Sequence, residues 1–213
     1  MLLILDLDDT IFETKSMDMS VFDPARRIVE EFTIKHYGAE ESQQIVNEIK
    51  ESPFDTVANK YNIPEQVRSR FYLSIQSIAY NLDIKVYEDY RVLRKLTCLK
   101  YLVTTGITNL QKAKIDALQI APDFQEIFID DPFDKNRKFK KGIFEQIITG
   151  IDPKQVWIIG DNPNSELKTG KELGLNTVQR LHENIEKSVY ADYVIQTFDE
   201  LKNIILKTTP NST

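Results

Sequence analysis

A doubly wound, mostly parallel α/β sheet carrying an inserted α-helical module is the fold class that the chain predicts, on three observations. Short apolar runs of β type recur at residues 2–5, 100–103, 127–129, 156–159 and 177–178, with helical stretches between the last four. Strands alternating with helices imply right-handed crossovers and parallel pairing. The first run, Leu2-Leu3-Ile4-Leu5, is unbroken rather than alternating, as in a strand buried on both faces of a sheet. It is cut off from its partners by residues 22 to 96, whose pattern is almost wholly helical. The arrangement this implies is a split core of residues 1–14 and 86–213 with a helical insertion at 15–85.

The elements follow in order. Asp23-Pro24 supplies an N-cap and a Pro at the first helical position, and Gly38 the left-handed residue that ends the helix. Between them Ile28, Val29, Phe32 and His36 recur at helical spacing, which makes His36 a helix-face residue rather than a ligand. A second helix carries Ile45, Val46 and Ile49, and a third starts at Ser52-Pro53 with Phe54, Val57, Ala58 and Tyr61. A fourth begins near Pro64 and lines up Val67, Phe71, Ile75 and Ile78 as a core stripe. Residues 83–87 read as a connector and 88–96 as a short helix leading back to the sheet. Residues 192–195 read as a final edge strand, 198–206 as a closing helix and 207–213 as a loose tail.

Composition bounds the function. A chain of 213 residues is long enough for one core with a smaller inserted module, and 41% hydrophobic with 28% charged residues describes an ordinary globular protein. A net charge of −6 argues against a general binder of nucleic acid or acidic membranes, while leaving room for small anions at a local cationic site. The single Cys98 excludes an internal disulfide, suits a reducing compartment and reads as a small buried residue leading into a strand. The N-terminal apolar run is too short for a signal peptide and no apolar stretch is long enough to span a bilayer, so a cytoplasmic location is expected.

The chemistry gathers at strand ends. Leu5 is followed by Asp6, Asp8, Asp9 and Thr10. Carboxylates held close raise one another's pKa unless a cation or donors compensate, so the cluster suggests a metal. Asp is also common where a strand turns into a loop, and the acidic turn alone fits both readings. After residues 101–103 come Thr104, Thr105 and Gly106, and then Thr108-Asn109-Leu110-Gln111 reads as a capping box opening a helix, a favourable place for a phosphoryl group. After 127–129 comes a loop, 130–136, and the basic run Arg137, Lys138, Lys140, Lys141, which read chiefly as a solvated helix start. After 156–159 come Gly160-Asp161 and then Glu166, with Gly160 allowing a tight turn. His182 reads as a surface residue. No Gly-x-Ser-x-Gly elbow, P-loop or paired Cys/His ligands are present.

Taken together, these motifs resemble the haloacid dehalogenase superfamily of phosphotransferases and hydrolases. Asp6-Leu7-Asp8-Asp9-Thr10 is similar to its DxDxT motif, Thr104 to its second-motif Ser/Thr, Lys138 by spacing before Ile143-Phe144 to its third-motif lysine, and Gly160-Asp161 with Glu166 to its GDxxxxD motif. Lys138 lacks the usual following Pro, so Lys140 or Lys141 are alternatives for that role. Glu166 replaces Asp, leaving direct and water-mediated metal contact both open. The resemblance implies a Rossmann-like core, a helical cap, and a Mg2+-dependent phosphatase acting on a small phosphate ester through an aspartyl-phosphate. In that scheme Asp6 is the nucleophile and Asp8 the acid and base. Thr104, Thr105 and Lys138 hold the phosphoryl group. Asp6, Asp8 (through its backbone carbonyl), Asp161 and Glu166 hold the metal.

Other classes are weaker fits. A dehalogenase of the superfamily needs neither Asp8 nor the Asp161/Glu166 pair. A phosphonate-cleaving relative needs a cap lysine, and nothing marks Lys15, Lys35, Lys50 or Lys60 for it. A phosphomutase shares all four motifs, and a catalytically silent binding module would be expected to have lost some of them.

Overall fold

The computed structural model describes residues 1–52, 54–182 and 185–208, and Pro53 and the residues beyond 208, which include most of the expected tail, lie outside them. The chain divides into two compact units, one of residues 17–82 and one made of residues 1–16 together with the chain from 83 onward.

The helical unit contains α1 (Asp23–Tyr37), α2 (Ala39–Glu51), α3 (Phe54–Lys60) and α4 (Glu65–Ser77). Gly38 takes φ 85°, and its N–H donates to the Ile34 carbonyl, closing α1 where the sequence places a left-handed residue. Asp23 is the first helical residue rather than the cap, Pro24 stands in the first turn, and the Asp23 carboxylate holds the Arg26 guanidinium instead. A buried hydroxyl pair, Thr33 and Ser42 at 2.6 Å, joins α1 to α2. Phe54 and Phe71 stack at 3.7 Å between α3 and α4. His36 is exposed and stacks on Phe32, one turn earlier on its own helix.

The α/β unit contains β1 (Leu2–Leu5), α5 (Tyr90–Lys95), β2 (Leu99–Thr105), α6 (Thr108–Leu118), β3 (Glu126–Asp130), α7 (Phe139–Ile147), β4 (Val156–Gly160), α8 (Lys168–Glu172), β5 (Asn176–Arg180), β6 (Tyr193–Ile195) and α9 (Phe198–Thr208). Its strands form one six-stranded sheet in the order β3-β2-β1-β4-β5-β6. All pairings are parallel. Every residue of β1 is buried, which is why an unbroken apolar run rather than an alternating one specifies it. On one face Leu2, Ile4, Val103, Ile158, Ile143 and Phe144 pack into a continuous cluster between the sheet and α7. Cys98 is half-buried just before β2. No helix among the described residues is long and apolar enough to cross a membrane.

The capping box expected at Thr108 does not form. Ile107, whose hydrocarbon side chain can make no bond to the helix, occupies the cap position, and Asp131 accepts from both the Thr108 N–H at 2.9 Å and the Thr108 hydroxyl at 2.6 Å. The helix is capped from a neighbouring loop, and Gln111 is freed to turn elsewhere.

Since Ile4 is buried at the middle of the sheet, Ile4→Ala is expected to destabilise the α/β unit by about 2–5 kcal/mol. A urea midpoint lowered at unchanged slope checks this; an unchanged midpoint would contradict the assigned packing.

Candidate active site

Parallel register builds the site. Leu5 of β1 lies level with Leu102 of β2 and with Ile159 of β4. The Asp6 N–H extends the ladder one step, donating to the Ile159 carbonyl at 2.9 Å. The carboxyl ends of these strands therefore open on one edge, and β1 stands where the strand order reverses, the place at which open α/β sheets bind ligands. A cavity of about 500 Å3 lies there, lined by Asp6, Asp8, Thr104, Lys140, Asp161 and Glu166 among others.

Asp6 leaves β1, and Asp161 and Glu166 follow β4. One carboxyl oxygen from each lies within 4.8 Å of those of the other two. Lys140 enters from the first turn of α7, its Nζ donating to Asp6 Oδ1 at 2.7 Å and to Glu166 Oε2 at 2.7 Å. Glu166 is further fixed by the Asn162 N–H, which donates to its Oε1 at 2.7 Å. The reach of Glu166 depends on Gly160: a Cβ there would sit 2.3 Å from the Glu166 Cγ. Gly160 is thus required less for a turn than for the passage of the longer acid across the strand end.

Charge in this cluster is unbalanced, with three carboxyl groups around one ammonium. Burial, though pulled against by Lys140, pushes the Asp6 carboxyl above its usual range, and Glu166 adds to the rise. Burial and the charges of Glu166 and Asp9 push Asp161 up to about 7. Burial disfavours a charged Lys140, but the charges of Asp6 and Glu166 outweigh it and hold the ammonium above its usual range. Three clustered oxygen donors with surplus negative charge are a hard-ligand set that fits Mg2+.

Asp8 and Thr104 lie beside this cluster. Asp8 Oδ1 accepts from Lys114 Nζ at 2.5 Å and Oδ2 from Gln111 Nε2 at 2.9 Å. Thr104 is buried, with Gln111 Nε2 2.6 Å from its Oγ1. Thr105 is exposed on the cavity and its hydroxyl donates to Asp130 Oδ2 at 3.3 Å. Asp130 in turn takes a two-pronged bond from Arg137, at 2.7 and 2.9 Å.

Not every expected residue converges. Lys138 is exposed and donates to Gln146 Oε1 at 2.7 Å, outside the cavity, while Lys140 takes the place next to Asp6. The basic run is correspondingly less solvated than expected, since Arg137 is paired and Lys140 buried. His182 is half-buried rather than on the surface, hydrogen-bonded through Nε2 to the Asp9 carbonyl and stacked on Tyr87. Arg180 braces the same loop, donating to the Thr10 carbonyl at 3.3 Å. Asp9 itself takes φ 52°, a left-handed value that Asp tolerates, and its side chain accepts the Thr14 N–H at 2.8 Å.

Gln111, Lys114 and Arg180 were not among the site residues expected from sequence, where Gln111 was read only as part of a capping box. A signal for two of them existed: Gln111, Lys114, Ile115 and Leu118 form one buried stripe along α6, and Lys140, Ile143, Phe144 and Ile147 form another along α7. Each apolar stripe, followed back to the helix N-terminus, continues into the polar residues that meet the site.

Residues 3–179 match the family model described as haloacid dehalogenase-like hydrolase. The chain belongs to that family. Among curated proteins, it is 29% identical over 111 residues to the glyceraldehyde 3-phosphate phosphatase of Methanocaldococcus jannaschii, covering 49% of this chain and 47% of that protein. It is 25% identical over 157 residues to the pyrimidine 5'-nucleotidase PynA of Streptococcus pneumoniae, covering 67% and 62%. The chain thus spans about half to three fifths of the length of these relatives. In fold it is similar to the magnesium-bound HAD-hydrolase YfnB of Bacillus subtilis, with TM-score 0.61, 19% identity and coverage of 96% of this chain and 97% of that one. It is similar also to a HAD phosphatase from Thermococcus onnurineus, with TM-score 0.60, 17% identity and coverage of 96% and 97%.

The raised carboxyl pKa values give a signed prediction. A carboxyl whose folded pKa exceeds its unfolded value stabilises the fold at low pH, and that contribution is lost as pH rises through the folded value, here toward about 7 for Asp161. A divalent cation bound to the ionised cluster offsets the loss. The rise in thermal midpoint produced by Mg2+ over EDTA is therefore expected to grow from pH 5 to pH 8. An increment that stays flat across this range would separate the cluster from cation binding.

Proposed function

We propose that the chain is a Mg2+-dependent phosphatase that hydrolyses a small phosphate monoester through an aspartyl-phosphate on Asp6. The observation that carries this reading is the convergence of Asp6, Asp161 and Glu166 within 4.8 Å, bridged by Lys140, with Asp8 and Thr104 on the same cavity. Family membership and the phosphatase names of two relatives support it.

Phosphate monoesters hydrolyse extremely slowly unaided, so the enzyme must neutralise the phosphoryl oxygens, align a nucleophile and protonate the leaving group. Asp6 attacks phosphorus through a carboxylate oxygen, and the ester P–O bond breaks. Asp8 gives its proton to the departing oxygen, then takes one from the water that cleaves the acyl phosphate. Thr104 and Lys140 donate to the equatorial phosphoryl oxygens as charge redistributes, with Thr105 at the rim. Asp6, Asp161, Glu166 and the Asp8 backbone carbonyl would hold Mg2+, which when bound would supply charge neutralisation for the anionic nucleophile and ester. Asp8 and the Asp161/Glu166 pair favour phosphoryl over carbon–halogen chemistry, which needs neither. The helical unit of residues 17–82, inserted in the chain after the loop that carries Asp8, is assigned the role of a substrate-selecting cap. The substrate class is a phosphorylated metabolite of the size of a triose phosphate or a nucleoside monophosphate, in keeping with the names of the two curated relatives.

Phosphate release from para-nitrophenyl phosphate, glyceraldehyde 3-phosphate and uridine 5'-monophosphate tests the reading, with Mg2+ and with EDTA. Turnover with Mg2+ alone is expected, and Asp6→Asn should abolish it while the thermal midpoint stays intact; activity retained by Asp6→Asn would remove it as nucleophile. Lys140→Ala is expected to lower kcat/KM by roughly a hundredfold or more, the scale of losing one donor to a developing oxyanion. Lys138→Ala should stay within about twofold, since its side chain lies outside the cavity. The reverse ranking would return the role to Lys138.

A further inference from the structure

Asp8 is gripped from one helix face. Gln111 and Lys114, three residues apart on α6, are both buried, and each supplies a donor to a different oxygen of the same carboxyl. The Lys114 side chain is only 6% exposed against 26% for Asp8, and its Nζ lies 5.6 Å from the centre of the Phe12 ring. The anchored partner is therefore the cation, while the carboxyl keeps an edge on the cavity. A buried ion pair contributes little net stability, because desolvation offsets the attraction. Its consequence here is geometric.

Gln111 does more than hold Asp8. Its amide nitrogen, which only donates, faces Asp8 Oδ2 at 2.9 Å. That nitrogen also lies 2.6 Å from Thr104 Oγ1 and 3.1 Å from the Thr105 carbonyl. An amide nitrogen only donates, so the Thr104 oxygen accepts at this contact and its own hydrogen remains available to donate into the cavity. One side chain thus touches both the carboxyl expected to protonate the leaving group and the hydroxyl expected to hold the phosphoryl group.

We propose that Gln111 and Lys114 are positioning residues that aim the Asp8 carboxyl at the leaving-group oxygen, with Gln111 tying that aim to the Thr104 hydroxyl. The inference rests on the phosphatase reading above. As the P–O bond breaks, its electron pair passes to the leaving oxygen and the Asp8 proton bonds there, leaving Asp8 as the carboxylate that the two donors hold. A misaimed Asp8 harms esters in proportion to their need for an acid. Aryl esters with a good leaving group need little; primary alkyl esters need much.

The test is the ratio of kcat/KM for para-nitrophenyl phosphate to kcat/KM for the better of glyceraldehyde 3-phosphate and uridine 5'-monophosphate. That parameter covers steps only as far as departure of the alcohol. In Gln111→Leu and in Lys114→Met the ratio is expected to rise at least tenfold over wild type, as it should in Asp8→Ala. Adding Gln111→Leu to Asp8→Ala should change the ratio no further, because both act through one group. A general weakening of the fold, or of phosphate binding alone, lowers both esters by the same factor. Should Lys114→Met not fold, Gln111→Leu and the milder Gln111→Asn carry the test. Equal losses on both esters, no loss, or a double variant in which the two ratio changes multiply would each overturn the proposal. A wild type that cleaves only the aryl ester would overturn it too, while turnover of neither ester would bring down the phosphatase reading with it.

Discussion

Three carboxyl groups drawn around one ammonium, at the point where the sheet reverses its strand order, are the constraint from which the rest of the α/β unit follows. Such a cluster is unfavourable unless rigid elements hold it, since ionised groups would otherwise separate into water. The rigidity comes from β1 and β4, both buried along their whole length and paired in a register that puts Asp6 beside the start of the Asp161 loop. Lys140 offsets part of the repulsion but leaves a surplus of negative charge. The same surplus that destabilises the cluster is what the proposed divalent cation would neutralise, so the instability and the proposed chemistry have one origin.

Much of this was legible in the chain. The strands were, because a sheet buried on both faces demands unbroken apolar runs that few other elements tolerate; the expected runs at 156–159 and 127–129 fall inside β4 and β3. The acidic residues were, because they stand at the ends of those runs. The lysine was harder. Counting back from Ile143-Phe144 points at Lys138, but the helix stripe points at Lys140, and Phe139 between them takes φ 58°. That left-handed residue turns the chain so that Lys138 runs outward to Gln146 and Lys140 inward to Asp6. Spacing along a motif records sequence distance; the 3.6-residue period of α7 puts Lys140 on its buried face, whereas Lys138 stands before the helix.

Gln111 shows the same limit from the other side. Its position after Thr108 fits a capping box, a local pattern needing only the helix itself. What defeats the pattern is non-local: Asp131, beyond the next strand, reaches Thr108 first and satisfies the helix end. Competition between a local and a distant acceptor for one donor leaves no trace in a window of a few residues. His182 was missed for a like reason, since the Asp9 carbonyl it bonds belongs to the opposite end of the chain.

The replacement of Asp by Glu at position 166 is best understood together with Gly160. A glutamate is one methylene longer than the aspartate of the motif, and here its oxygens lie beside Asp6. The side chain crosses the end of β4, where its Cγ comes within 2.3 Å of the place a Cβ at residue 160 would occupy. Only glycine leaves that path open. Once there, the side chain is held at both oxygens, by the Asn162 N–H and by Lys140. The longer acid therefore reaches the cluster through a gap in the strand's side-chain layer. Any change that fills the gap acts on the carboxyl cluster through Glu166, even though residue 160 itself contributes no side-chain donor to it.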